Sequence, residues 1–404
     1  MAKIPDPAPA GGAACDAPAP PLAGLRVVAL EHAVAAPLCS RHLADLGADV
    51  IKIENPAGGD LARGYDSVVK GQSAYFVWAN RGKRSVALDL KSADGRAALH
   101  ALLNDADVFV HNLSPGAVDR LGLDAGTLAE RWPRLINCAI TGYGTGGPLR
   151  ERKAFDLLVQ GEAGLLSVTG QPDAPAKAGI SVADMCAAVY ALSSILAAVL
   201  DRTRTGRGQS VDVAMLDCLA EWMMAPAYHQ IYGGTQPRRA GARHNMMVPY
   251  GVYRVGDKGH VNFAVQTDAQ WRAFCSHVLD DPELADVPEF RGNEARVRNR
   301  AALERLIEDR FAPREVDEVT GRLLEAGIPT GDVNDLRGLV EHPQLAARGR
   351  WLEADSPAGP VRVLRAPFDL AGLPPHAGRG IPALGEHTDE VLSALRAQPG
   401  EGPA

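Results

Sequence analysis

The sequence predicts an α/β protein: a large domain built on a parallel sheet, followed in the chain by a smaller α+β domain. Three observations carry this. A β-rich run, Leu25-Arg26-Val27-Val28-Ala29-Leu30, a helical pattern through Leu46 and a second β-rich run, Asp49-Val50-Ile51-Lys52-Ile53-Glu54, follow one another within about thirty residues, the length of a βαβ unit. The alternation then recurs to about residue 215. Past residue 228 the composition turns to glycine and arginine, followed by short strands and helices, which marks a second domain. The 404 residues, 46% of them apolar, suffice for two cores. The expected divisions are a disordered tail at 1–21, the first part of the large domain at 22–228, the small domain with its linkers at 229–330, and a return to the large domain at 331–404. N- and C-terminal parts of the chain are thus expected to share the sheet.

The opening segment to Pro21 is rich in alanine and proline and lacks the apolar stretch of a signal peptide, so it reads as a disordered tail. Gly47 ends the first helix. No GxGxxG follows the first strand, so the sheet is Rossmann-like without a dinucleotide fingerprint. Further strands are expected at 85–90, 108–110 and 135–140, with helices at 93–104 and 125–131. Each strand runs into a polar or glycine-bearing segment, where open α/β sheets bind ligands. Three such segments stand out: Leu88 to Lys91, Asn112 to Arg120, and Thr141 to Pro148. The glycines at 142–147 read either as a flexible turn or as backbone that approaches a phosphate or thioester oxygen closely.

Asp184 stands alone between a Gly/Pro-rich loop and a run, Met185 to Leu200, with no charged residue. The run reads as a fully buried helix, too short for a secure membrane span. An acid at its mouth is either an N-cap or a reagent. A basic turn at 202–209 reads as a solvated loop, a strand follows at 210–215, and the Met- and Trp-bearing helix at 216–228 reads as core or subunit interface. After the loop at 232–244 come a hairpin at 251–255 and 260–265, helices near 268–278, 298–310 and 314–326, a strand at 361–364 and a closing helix near 388–396.

The formal charge of −7 is spread along the chain, and no basic patch is interleaved with aromatics, which argues against a nucleic-acid surface. Six cysteines without CxxC spacing read as reduced thiols of a cytoplasmic protein, with no metal site and no membrane partner expected.

Taken in order, several stretches resemble class III CoA-transferases of the CaiB/BaiF superfamily: Leu22 to Val28, Leu46 to Glu54, Asn80 with Lys83-Arg84-Ser85, Asn112 to Ala117, Thr205 to Gln209, and Val248 to Gly251. The resemblance runs from about Pro21 to about Leu395. It implies that the family's nucleophilic aspartate falls on Asp184. It also implies coenzyme A contacts at His32, Val34, Ala35, Leu88, Lys91, Asn112, Leu113, Arg120, Gly142 and Tyr143, with CoA as substrate and no permanently bound cofactor, and an interlocked homodimer. Two positions depart from the pattern. Val34 stands where some members have glutamine, and Asn55 where some have a basic residue.

The implied reaction moves CoA from an acyl-CoA, such as succinyl-CoA, to a carboxylic acid. Gly233, Gly234, Arg238, Arg243 and His244 are candidates to meet a substrate, the cations by pairing with the second carboxylate of a dicarboxylic acid; a solvated basic loop is the competing reading. Two alternatives stand beside this one. A 2-methylacyl-CoA racemase of the same superfamily has a histidine directly before the aspartate that follows the glycine loop, and here the pair is Phe155-Asp156, with no proton to give. A non-catalytic CoA-binding protein is expected to lose Asp184, which is present.

Overall fold

The structure, a computed structural model, describes residues 19–370 and 378–397. The Ala/Pro-rich tail therefore lies, up to residue 18, outside the described residues.

Six strands form one sheet: β1 (Arg26–Leu30), β2 (Asp49–Glu54), β3 (Arg84–Ala87), β4 (Val108–His111), β5 (Ile136–Thr141) and β6 (Ser210–Ala214). All pairings are parallel, in the order β3-β2-β1-β4-β5-β6. Val27, Val28 and Ala29 are wholly buried, as expected of a central parallel strand covered on both faces. The crossovers include helices α1 (Ala35–Asp45), α2 (Ala93–Asn104) and α3 (Ala125–Arg131). The Ser92 and Asp124 side chains cap α2 and α3 by accepting from the N–H groups of Gly95 and Thr127, both at 3.0 Å. Leu99, Leu102 and Leu103 of α2 and Leu128 of α3 pack on Val28, Ile51, Ile53, Val86 and Phe109. Because the strand order reverses between β1 and β4, a crevice opens where their carboxyl ends diverge.

The C-terminal part adds no strand to this sheet among the described residues, contrary to the sequence expectation. Trp351–Ala354 and Val361–Leu364 pair with each other as a separate antiparallel ladder. The free edge of β3 is met instead by a turn. The N–H of His387 donates to Ser85 O at 2.9 Å, and Thr388 Oγ1 accepts from the N–H of Ala87 at 2.9 Å. The closing helix, Thr388–Ala397, then places Val391 in the same core cluster as Leu99. Pro382 and Gly385 interrupt any extended run that could have paired there.

The chain divides into two compact units. The first runs to Phe155, takes up Ala183–Cys218 and resumes at Ala347; the second is Asp156–Val182 with Leu219–Ala346. The second unit is thus larger than the 229–330 read from the sequence. Residues 156–182 belong to it because the loop at 238–245 is bonded to them. Gly241 N–H donates to Gly170 O and Asn245 Nδ2 to Val168 O, both at 2.9 Å. The expected helix at 216–228 is two helices, Met215–Trp222 and Met224–Gly233, parted at Met223. Pro226 cannot donate to the carbonyl four residues back and clashes with it, so the first helix cannot run through. The second unit also holds the expected hairpin, Tyr250–Val255 with Gly259–Ala264, over an aromatic core in which Phe263 stacks on Phe274 at 5.1 Å.

Candidate active site

Every CoA-binding candidate follows a strand of the parallel sheet: His32, Val34 and Ala35 after β1; Leu88 and Lys91 after β3; Asn112, Leu113 and Arg120 after β4; Gly142 and Tyr143 after β5. Parallel strands bring these four segments to one edge of the first unit. At the crevice between β1 and β4 a single amide staples two of them. Asn112 Oδ1 accepts from the N–H of His32 at 2.9 Å, and Asn112 Nδ2 donates to His32 O at 2.9 Å. Val34 and Ala35 are buried, so what they offer a ligand is backbone. Val34 opens α1 without a side-chain cap and the first turn carries no acid, so no side chain competes with an anion for its N–H groups. Burial lowers the His32 pKa against the pull of Asp60, leaving a neutral imidazole near pH 7. Its Nδ1 is buried without a hydrogen-bond partner among the described residues. Lys91 and Arg120 are exposed.

The glycine loop after β5 is pinned rather than slack. Thr145 donates to Asp212 Oδ2 through both its N–H (2.9 Å) and its hydroxyl (2.6 Å), and Gly144 donates its N–H to Thr141 Oγ1 at 2.8 Å. A Cβ on Gly142 would stand 2.2 Å from that of Ala154. Gly142→Ala should therefore displace the loop and weaken CoA binding by about tenfold or more, read by calorimetric titration with free CoA; unchanged affinity would remove this loop from the CoA site.

Asp184 lies on helix α4, Val182–Thr205. Asp184 is the third residue of the helix, within its first turn, and so is not the N-cap. Its charge reaches Tyr65: burial, then Asp60 and Asp184, raise the Tyr65 phenol, which keeps its proton. The expectation that this helix is fully buried is overturned. Ala183, Cys186, Ala187, Ala191, Ile195 and Ala198 form a buried face, while Val189 is 46% and Leu200 72% exposed. By length and composition alone this helix could cross a membrane. In the second unit the buried Gln160 fastens the segment that precedes this helix in the chain: Oε1 accepts from Ala178 N–H at 2.9 Å and Nε2 donates to Ile180 O at 3.4 Å.

Residues 22–388 match the family described as CoA-transferase family III. The chain belongs to CoA-transferase family III. It is 35% identical over 385 residues to the succinate-glutarate CoA-transferase of Agrobacterium fabrum, covering 93% of this chain and 96% of that one. It is 36% identical over 382 residues to the acetyl-CoA:oxalate CoA-transferase of Acetobacter aceti, with 94% and 96% covered. A crystal structure of a CaiB/BaiF family protein from Brucella suis superposes with a TM-score of 0.81 at 35% identity, covering 94% of this chain and 100% of that one.

In this CoA-transferase the expected substrate loop is largely occupied by the second unit itself. Arg243 donates to Glu304 at 2.7 Å and to Glu308, and lies over the Tyr253 ring at 4.4 Å, so its guanidinium is already matched by two carboxylates. His244 stacks on Tyr250 at 5.0 Å and its Nδ1 accepts from the N–H of Met246. Gly233 is the last residue of its helix, and Gly234 closes it in the left-handed conformation, φ +66°. Arg238 alone among these cations is exposed.

What sequence reading missed in the transferase is a buried charge network under the β1 loop. Lys83 Nζ donates to Glu31 Oε1 (2.6 Å), Asn80 Oδ1 (2.8 Å) and Pro37 O (2.9 Å). Lys52 Nζ donates to Asp60 Oδ2 (2.7 Å) and Glu31 Oε1 (3.3 Å). Arg63 grips both oxygens of Glu54, at 2.8 and 2.7 Å. Three cations thus face three carboxylates. Burial opposes ionisation of each carboxylate, and the cations overcome it, holding Glu31, Glu54 and Asp60 below the usual range. The signal available in the sequence was the unusual set of charges inside strand-like runs: Lys52 and Glu54 in β2, and Lys83 next to β3.

Proposed function

We propose that the chain transfers CoA from succinyl-CoA to a small dicarboxylic acid through Asp184, as a cytoplasmic homodimer. The observation that supports it best is the convergence of the CoA candidates on the carboxyl edge of the sheet at its switch point, in a chain of this family. The Asp184 carboxylate attacks the thioester carbonyl, forming a mixed anhydride and expelling CoA thiolate. The thiolate then attacks the anhydride at the aspartyl carbonyl, giving an aspartyl-CoA thioester and releasing the donor acid. The acceptor carboxylate reverses these steps. A carboxylate in the first turn of a long helix is favoured in its ionised form, as a nucleophile must be.

The dicarboxylate reading draws on the names of the relatives, which act on succinate, glutarate and oxalate or their CoA esters, and on exposed Arg238. The dimer reading draws on the family and on the exposed apolar stripe of helix Met224–Gly233, where Ile231 is 59% and Tyr232 83% exposed. Against a racemase stands Phe155, which cannot exchange a proton. Succinyl-CoA offered with a panel of carboxylic acids, followed by mass spectrometry, should yield CoA esters of dicarboxylates in the panel. Hydrolysis alone, or deuterium entering the α-position of a 2-methylacyl-CoA without an acceptor, would overturn the assignment.

A further inference from the structure

We propose that Asp60 is a positioning residue for acyl-CoA: its carboxylate, anchored on Lys52, holds Ala33 in the left-handed turn that shapes the β1 loop. The inference rests on the reading that CoA binds at the switch point, and it extends that reading to residues that need not touch the ligand.

Ala33 has φ +64°, a conformation that costs a residue with a Cβ and that nothing in the local sequence favours. Tertiary contacts must therefore hold it. On one side the N–H of Ala33 donates to Asp60 Oδ1 at 2.9 Å. On the other, the neighbouring His32 peptide is held at both its N–H and its C=O by Asn112. Asp60 follows β2 and Asn112 follows β4, the two strands that flank β1, so the turn is clamped from both neighbours.

Asp60 is itself rigid. It is 1% exposed; Oδ1 also accepts from the N–H of Ala62 at 2.9 Å, Oδ2 accepts from Lys52 Nζ at 2.7 Å, and its own N–H donates to Glu54 Oε2 at 2.9 Å. The charge network beneath the loop thus ends in one hydrogen bond to the residue on which the direction of the Val34 and Ala35 N–H groups depends. Release of Ala33 would let the turn relax to negative φ and swing those donors away from the crevice.

The test uses the full-length protein, with free CoA titrated calorimetrically and steady-state kinetics run alongside. Asp60→Ala should weaken CoA binding by about tenfold and raise the acyl-CoA KM in parallel, with kcat within about threefold of the parent. Adding Ala33→Gly to Asp60→Ala should recover at least about half of that loss on a logarithmic scale, because glycine adopts positive φ without the Cβ penalty. A general loss of packing would not respond to that second change. Should Asp60→Ala fail to fold, Ala33→Val in the otherwise intact chain takes its place: a β-branched residue resists this φ, and CoA affinity should fall by a similar factor. Parental affinity in Ala33→Val, or no recovery in the double variant, overturns the proposal. A parent protein that does not bind CoA overturns instead the reading on which it rests.

Discussion

Replacing Asp184 by alanine should leave a protein that binds CoA and transfers none of it. Removal of a covalent nucleophile costs on the order of 10⁴-fold or more in turnover, because the remaining groups can only bind and orient. The proposed CoA-binding segments lie after β1, β3, β4 and β5, whereas Asp184 lies on a separate helix of the same unit, so their loss and its loss are separable. The intermediate gives a direct readout. Parent protein incubated with acyl-CoA should carry CoA on the peptide containing Asp184, by mass spectrometry, and Asp184→Ala should carry none. Asp184→Asn, which keeps the shape and loses the nucleophilic oxygen pair, should behave like the alanine variant at early times. Transfer by Asp184→Ala at more than about a hundredth of the parental rate would remove the residue from the mechanism.

The reach of the sequence is visible element by element. Strand β2 and helices α2 and α3 were legible to the residue, because buried β-branched runs and Ser or Asp caps leave local signatures. The edge of the sheet was not. A free strand edge can be covered by a strand or by a turn, and what decides is a hydrogen bond between His387 and Ser85, far apart in sequence. The division between units failed for a related reason: residues 156–182 are held by the distant loop at 238–245, which no local pattern reports. Of the candidate site, the segments that follow the strands were legible, and the exposure of Arg238 against the engagement of Arg243 was not. The sequence presents both as arginines of one loop, and only packing brings Glu304 and Glu308 to the second.

The buried network yields the second large effect, on stability. Glu31 Oε1 accepts from both Lys83 and Lys52 and its Oε2 accepts from Ser40 Oγ at 2.7 Å, all within side chains wholly removed from water. Glu31→Gln keeps the volume and removes the anion, leaving two buried lysines with one carboxylate partner, Asp60, in place of two. Breaking a buried pair from one side costs about 3–5 kcal/mol, which for a unit of this size lowers the melting temperature by about 6–20 °C.

The pH dependence distinguishes this from a packing defect. Glu31, Glu54 and Asp60 are held below their ordinary values, so their contribution is full above the unfolded carboxylate range and is lost as pH falls through the folded values. The gap between parent and Glu31→Gln should therefore narrow in acid, where the parent's Glu31 is itself protonated. On the alkaline side Lys83 matters. Burial outweighs the attraction of Glu31 and lowers its pKa to about 8 in the parent. Without Glu31 it falls further, and a lysine of lowered pKa destabilises most below its folded value and progressively less as pH rises towards the unfolded one. The gap should thus narrow again as pH rises from the variant's lowered Lys83 value to about 8, where the parent's own Lys83 gives up its proton, and stay level above that. Adding Lys83→Met should restore much of the stability at pH 7, because an apolar side chain needs no counter-charge. A deficit that is flat from acid to alkaline pH, or one that Lys83→Met deepens, would show that Glu31 acts by shape rather than by charge.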